Sequence, residues 1–161
     1  MSIRTLLLNG AVAALYAALT LFLAPLSYGP VQVRLSECMV LLAFYHRKWV
    51  PGLTVGCFLA NLGSPFGVTD MAVGTLATFL AVYGMRYCRA LWQASLVPVI
   101  SNGILIGLEL AYLSEIPGDF LSIVSVMAYI GAGEFLAVSV VGMFFWKLAM
   151  KNPVVKKYVT E

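Results

Sequence analysis

The chain has 161 residues, 61% of them hydrophobic and 11% charged, with a net charge of +3 and a mean hydropathy of +0.94. Soluble domains average about 45–50% apolar and about 25% charged residues, so this composition excludes a water-soluble globule and points to an integral membrane protein. At about 20 residues per crossing, six spans use roughly 120 residues and leave about 40 for loops, which excludes an attached catalytic or nucleotide-binding domain.

Arg4 precedes an apolar run from Thr5 to Ala24. Alone, that stretch is compatible with a signal peptide, but the further apolar segments after it make it a retained first span. A second run, Leu35 to Tyr45, stops at His46-Arg47-Lys48, and a third extends from Trp49 to Leu62. Both are short for full crossings and are expected to be tilted or partly re-entrant. The fourth runs from Met71 to Met85 and closes on Arg86 and Arg89. The fifth covers Ala90 to Leu113, and the sixth Phe120 to Trp146, followed by Lys147 and Lys151. The expectation is an all-α membrane protein of six transmembrane helices forming a single domain, residues 1–161, with both termini cytoplasmic.

Charge placement supports that parse. With the N-terminus inside, Arg4, Arg47, Lys48, Arg86, Arg89, Lys147, Lys151, Lys156 and Lys157 fall on the cytoplasmic side and only Arg34 falls outside, as the bias of loop Lys and Arg requires. The acidic Glu115 and Asp119 fall in the outer loop before the last span. The two three-span halves do not resemble each other, which argues against an inverted-repeat transporter.

Much chemistry is missing. No Gly-Lys pair occurs, so there is no P-loop. Cys38, Cys57 and Cys88 sit in apolar runs without metal or redox spacing and read as buried thiols. His46 is the one histidine, which excludes a histidine-based zinc site within one chain. There is no nucleophile–base constellation. No cofactor, metal or nucleic-acid partner is expected.

What remains is a short set of polar residues in places where they are costly. Glu109 lies in the fifth span, with Asn102 seven residues earlier on nearly the same face; Glu134 lies halfway down the sixth. Asp70 opens the fourth span, Asn61 ends the third, Arg34 and Glu37 open the second, and Gln32 precedes them in the first outer loop. All fall in the outer half or near mid-depth. One reading has Arg34, Glu37 and Asp70 pairing to glue helices together; the other has the set lining a ligand cavity. Glu109 and Glu134 favour the cavity, since neither has an intramembrane cation to pair with. Gly131 and Gly133 allow close approach beside Glu134. The irregular stretch Ala24 to Pro30 is suited to a lid, as Gly63, Pro65 and Gly67 make the third connection irregular. Tyr28, Phe66, Tyr112 and Phe120 lie near the outer face, as interfacial belt residues or, for Tyr28 and Tyr112, as stacking surfaces. On the first span, Gly10, Ala14 and Ala18 recur at four-residue spacing beside the row Ala13 and Ala17. Such rows permit close helix packing, either within the chain or against a second membrane protein.

These residues carry a family resemblance. Ala13-Ala14-Leu15-Tyr16-Ala17-Ala18-Leu19-Thr20, then Pro25-Leu26-Ser27-Tyr28-Gly29-Pro30-Val31-Gln32-Val33-Arg34-Leu35-Ser36-Glu37, and Gly52-Leu53-Thr54-Val55-Gly56-Cys57-Phe58-Leu59-Ala60-Asn61-Leu62 with Asp70, Gly74 and Thr78, resemble the QueT family. The resemblance covers nearly the whole chain and is strongest up to about residue 80. It implies the substrate-binding S component of an energy-coupling factor (ECF) transporter: six helices, an outward-opening site capped by the first outer loop, and a 7-deazaguanine queuosine precursor as substrate. It also implies partners, a transmembrane T component and two ATPases, with a small-residue row on the first helix touching the T component and the S component toppling to deliver its load. Under that implication Glu109 and Glu134 are the candidates to accept the base's N–H edge and an aminomethyl ammonium. Asn102, Asn61 or Gln32 would satisfy the ring carbonyl or nitrogen. The alternatives are an S component for another vitamin such as folate or thiamine, or a stand-alone ion-coupled secondary transporter with Glu109 or Glu134 carrying the proton.

Overall fold

A chain immersed in hydrocarbon has to satisfy every backbone N–H and C=O internally, and helices do this within one segment. In the computed structural model, which describes residues 2–29, 32–113 and 119–161, every regular element is helical.

Helix α1 (Ile3–Phe22) starts where Ser2 Oγ accepts a hydrogen bond from the Thr5 amide at 3.2 Å, an N-cap. A single turn, Ala24–Ser27, follows with Pro25 in its first turn. Helix α2 (Leu35–Tyr45) is wound as a 3-10 helix over Leu35–Leu41 and as an α-helix over Leu42–Tyr45. With a rise of about 2.0 Å per 3-10 residue, these seven and four residues reach about 20 Å. Helix α3 (Val50–Asn61), 12 residues long, reaches about 18 Å. Helix α4 (Val68–Gly84) begins three residues before the expected Met71, because Gly67 adopts a left-handed φ of +66° that sets the turn directly ahead of Val68. Helix α5 (Leu91–Leu113) opens under the Gln93 side chain, which accepts from the Arg89 and Ala90 amides. Helix α6 (Phe120–Ala149) is capped by Asp119, is wound as a π-helix over Phe135–Gly142, and runs past the expected end at Trp146. A short helix, α7 (Pro153–Thr160), follows, capped by Asn152.

Four stretches are long and apolar enough to cross a membrane: Ile3–Phe22, Val68–Tyr87, Leu91–Leu113 and Phe120–Ala149. Helices α2 and α3 fall short of the ~30 Å hydrocarbon thickness. The helices close a ring in the order α1, α3, α4, α5, α6, α2, with α2 returning to α1. Large apolar side chains such as Leu7, Phe22 and Phe144 point outward and are exposed, as a lipid-facing surface requires.

At one end of the ring Trp49, Met85, Trp146 and Val159 pack into a common apolar cluster with Tyr16, Leu41 and Leu53, so the N-terminal end of α1, the α2–α3 and α4–α5 connections and α7 share that end. A second cluster, Ala77, Ile106, Leu110 and Ile130, joins α4, α5 and α6. Two glycines allow close helix crossings. A Cβ on Gly52 would lie 2.6 Å from Asn9 Oδ1, and one on Gly107 would lie 2.7 Å from Met127 Cα. All three cysteines are free thiols; Cys57 is buried, while Cys38 and Cys88 are half-buried.

Candidate functional site

Each of the six long helices contributes at least one buried polar side chain: Tyr16 from α1, Glu37 from α2, Asn61 from α3, Asp70 and Thr78 from α4, Asn102 and Glu109 from α5, and Glu134 from α6. Arg34, directly before α2, joins them. The expected residues therefore converge, and their pairings separate into two groups.

The first group ties helix ends together. Arg34 Nη1 donates to Asn61 Oδ1 at 3.0 Å, and Arg34 Nη2 lies 3.4 Å from Asp70 Oδ2. Arg34 Nε donates to the Ser27 carbonyl at 3.3 Å, which holds the Ala24–Ser27 turn. Asn61 Nδ2 donates to the Asp70 carbonyl at 3.0 Å. The Tyr28 ring lies under the guanidinium at 5.3 Å, a cation–π distance, and its hydroxyl donates to the Ala60 carbonyl at 2.6 Å. Burial holds the Tyr28 phenol above its usual pKa. The loop after α1 is thus fastened across the C-terminal end of α3. Its residues Pro30 and Val31 lie outside the described residues, as does Glu115 in the loop before α6. Gln32 is buried with a left-handed φ of +46°.

The second group faces inward. Glu37 accepts a hydrogen bond from the Tyr16 hydroxyl, and Glu134 accepts one from Asn102 Nδ2. Glu109 is different: neither carboxylate oxygen has a hydrogen-bond partner among the described residues, although both are buried. Glu37 Oε2, Glu134 Oε2, Asp70 Oδ1 and Asn102 Oδ1 are also buried without partners. Arg34 lies near enough to act electrostatically on Glu37, Glu109 and Glu134, yet its hydrogen bonds go to Ser27, Asn61 and Asp70. Among the described residues the interior therefore holds four carboxylates against one guanidinium. Buried carboxylates in this state are relieved by a ligand that brings N–H donors or positive charge.

Tyr112 does not join the cluster. It is 85% exposed on the outside of α5, which suits an interfacial aromatic and not a stacking surface beside the buried cluster. Phe120 is likewise exposed. Sequence reasoning passed over Tyr16 as a site residue, although a phenol in mid-span needs a hydrogen-bond partner and was a usable signal. Thr78, which the sequence offers only within the family resemblance, donates its hydroxyl to Cys57 Sγ at 3.2 Å.

A sequence model of the QueT transporter family matches residues 6–151. The chain belongs to the QueT transporter family. Every converging residue lies inside the span matched to the QueT family. A protein of Lactococcus lactis subsp. cremoris (strain MG1363) named "Queuosine precursor transporter QueT" is 42% identical over 71 residues, 43% of this chain and 41% of that protein. The match thus spans about two fifths of that relative's length. No solved structure is significantly similar to the chain.

The two small-residue rows on the first helix of this QueT family member have different environments. Ala13 and Ala17 are buried, and a Cβ on Gly56 of α3 would lie 3.0 Å from Ala13 Cα. That row packs inside the chain against α3, with Ala13 also lining the groove beside Gly10. Gly10, Ala14 and Ala18 are exposed, and nothing lies within 4 Å of a Cβ built on Gly10. An apolar groove of about 470 Å³, lined by Leu6, Leu7, Pro51 and Val55, runs beside Gly10 between α1 and α3.

Proposed function

We propose that this chain is the substrate-binding S component of an ECF-type importer in a bacterial plasma membrane, crossing it six times with both termini cytoplasmic. Its substrate in this reading is a queuosine precursor: a 7-deazaguanine base such as queuine or its aminomethyl or cyano precursor. Membership of the QueT transporter family supports transport, and the name of the Lactococcus relative supports the substrate class. The observation that carries the reading is Glu109, with both oxygens buried and, among the described residues, unpartnered in a ring holding one committed guanidinium.

The chemistry follows from that excess of acceptors. A deazaguanine presents a flat N–H and NH2 edge, which a carboxylate accepts in two parallel charge-assisted bonds. Glu109 takes this edge in the proposal. Glu134, steered by Asn102, accepts from the substituent amine, and the Asn102 carbonyl oxygen takes a further ring N–H. Arg34, Asn61 and Asp70 hold the outer wall, with Tyr28 as the fastened lid. Helix α2 and helix α3 cross where the bilayer thins locally and by drawing on their flanking residues, which accommodates their short length.

The chain itself performs no catalysis in this reading. ATP hydrolysis belongs to two partner ATPases, and the exposed Gly10, Ala14 and Ala18 row docks on the transmembrane T component, where small residues let helices approach in lipid.

Titration of the purified protein with the three bases, with folate and thiamine as controls, tests the substrate. Glu109→Gln and Glu134→Gln should each weaken binding of the bases at least tenfold. Binding as tight as wild type in both variants would overturn the site. Reconstituted uptake that continues without any ATPase module would overturn the S-component role in favour of an ion-coupled carrier.

A further inference from the structure

The end of the ring opposite Arg34 carries a second polar concavity. Ser2, Arg4 and Thr5 from the start of α1, Lys48 from the α2–α3 connection, and Lys157 and Tyr158 from α7 line a cavity of about 280 Å³, close to the ~300 Å³ at which small-molecule sites begin. Glu161 is the one acid on its wall. None of Arg4, Lys48 and Lys157 is in an ion pair among the described residues.

The cations are held in place. The Arg4 guanidinium stacks on the Tyr158 ring at 5.0 Å. Lys48 Nζ donates to the Tyr158 carbonyl at 2.8 Å and lies 4.7 Å from the Trp49 ring. Trp49 Nε1 donates to the Val159 carbonyl at 3.0 Å, and Val159 is buried. Helix α7 is thereby clasped to the α2–α3 connection, and it brings Lys157 to the two cations from elsewhere in the chain. Desolvation, together with repulsion from Arg4, holds the Lys48 ammonium below its usual pKa. Three cations converge there against the single Glu161 carboxylate on the wall, an excess of positive charge that an anion relieves. The site also sits where a lipid phosphate would. It lies at the end of the bundle rich in Lys and Arg, and Ile3, Leu6 and Leu7 beside it are exposed apolar residues suited to acyl chains.

We propose that Arg4, Lys48 and Lys157 form an oxyanion site for the phosphate of an anionic phospholipid headgroup, assembled only when α7 is docked. Occupancy would lock α7 against the ends of α1 and α3.

The test is thermal unfolding of the full chain, read by tryptophan fluorescence, in nanodiscs of phosphatidylcholine alone and with phosphatidylglycerol, and separately in detergent with added inorganic phosphate. Phosphatidylglycerol should raise the midpoint. Arg4→Gln and Lys48→Gln should each remove at least half of that rise, Arg4→Lys should retain it, and Lys151→Gln, on the same end but outside the cavity, should leave it unchanged. A rise with inorganic phosphate that the same two variants abolish supports the oxyanion site and assigns it a soluble anion as well. A phosphatidylglycerol effect that survives Arg4→Gln and Lys48→Gln, or that Lys151→Gln diminishes equally, means diffuse surface attraction and overturns the proposal. So does the absence of any rise.

Discussion

Arg34 Nη2 lies 3.4 Å from Asp70 Oδ2, with both side chains buried, so the start of α2 and the start of α4 are joined by an ion pair deep in an apolar bundle. Breaking a buried pair by removing one partner leaves an uncompensated charge and costs about 3–5 kcal/mol. Asp70→Asn should destabilise the protein on that scale, because Arg34 keeps Asn61 but loses its counter-charge. Thermal or denaturant unfolding in detergent checks this. Asp70→Asn with an unchanged midpoint would show that the pair adds nothing to the fold.

Tyr16 reaches Glu37 from α1, and both are wholly buried. Tyr16→Phe keeps the ring and removes only the donor, which leaves a buried carboxylate oxygen unpaired at a cost of about 1–3 kcal/mol. The unfolding midpoint should fall. Tyr16→Phe,Glu37→Gln should recover part of the loss, since removing the charge lowers the desolvation cost, and a double-mutant cycle measures how much.

Tyr28 fastens the first outer loop through its hydrogen bond to the Ala60 carbonyl. Tyr28→Phe should cost about 0.5–1 kcal/mol, the lower range for a half-exposed bond. The pH dependence has a defined sign. The folded phenol titrates above its unfolded value of about 10, so its contribution is complete below about pH 10 and is lost as pH rises through the higher folded value. Wild type should therefore lose more stability than Tyr28→Phe across that alkaline window, measured as unfolding midpoints.

Gly107 and Gly10 make opposite predictions from the same substitution. A methyl on Gly107 would meet the Met127 backbone at 2.7 Å, so Gly107→Ala must push α5 from α6 and should cost about 1–3 kcal/mol. A methyl on Gly10 meets nothing within 4 Å, so Gly10→Ala should leave the midpoint unchanged. The bulkier Gly10→Leu should also fold, yet lose co-purification with the proposed T component while retaining base binding.

If the proposed substrate class is right, the interior acceptors set which base is preferred. With Glu109, Glu134 and Glu37 all presenting unpartnered oxygens, a base carrying an ammonium gains an interaction that a nitrile cannot make. Aminomethyl and queuine forms should bind at least tenfold more tightly than the cyano form, a difference of about 1.4 kcal/mol. Calorimetric titration of the three bases decides it; equal affinities would remove the second carboxylate from the binding chemistry.

Much of this molecule was legible in the linear chain because lipid imposes simple rules. Apolar runs had to be helices, loop cations had to gather at one end, and carboxylates in mid-span had to have a purpose. Glu109, Glu134 and Asn102 stood out on cost alone, and α1, α5 and α6 lie close to where their apolar runs placed them. The less legible features were those that depend on which face of a helix meets which neighbour. Ala13 and Ala14 are adjacent and chemically identical, yet one is buried against Gly56 and the other is exposed. Tyr112 and Tyr28 are both outer-end tyrosines, yet one faces outward and the other lies beneath Arg34.

The sequence by itself determined the medium, the helical class and the inventory of costly polar groups, since these follow from composition and from the free energy of placing each residue in hydrocarbon. Only the tertiary structure decided the pairings. Closure of the ring spent Arg34 on Asp70 and Asn61, gave Asn102 to Glu134, and left Glu109 with no partner among the described residues. A charge's partner is set by distances of a few ångströms between helices far apart in sequence, and no spacing along the chain encodes those distances directly.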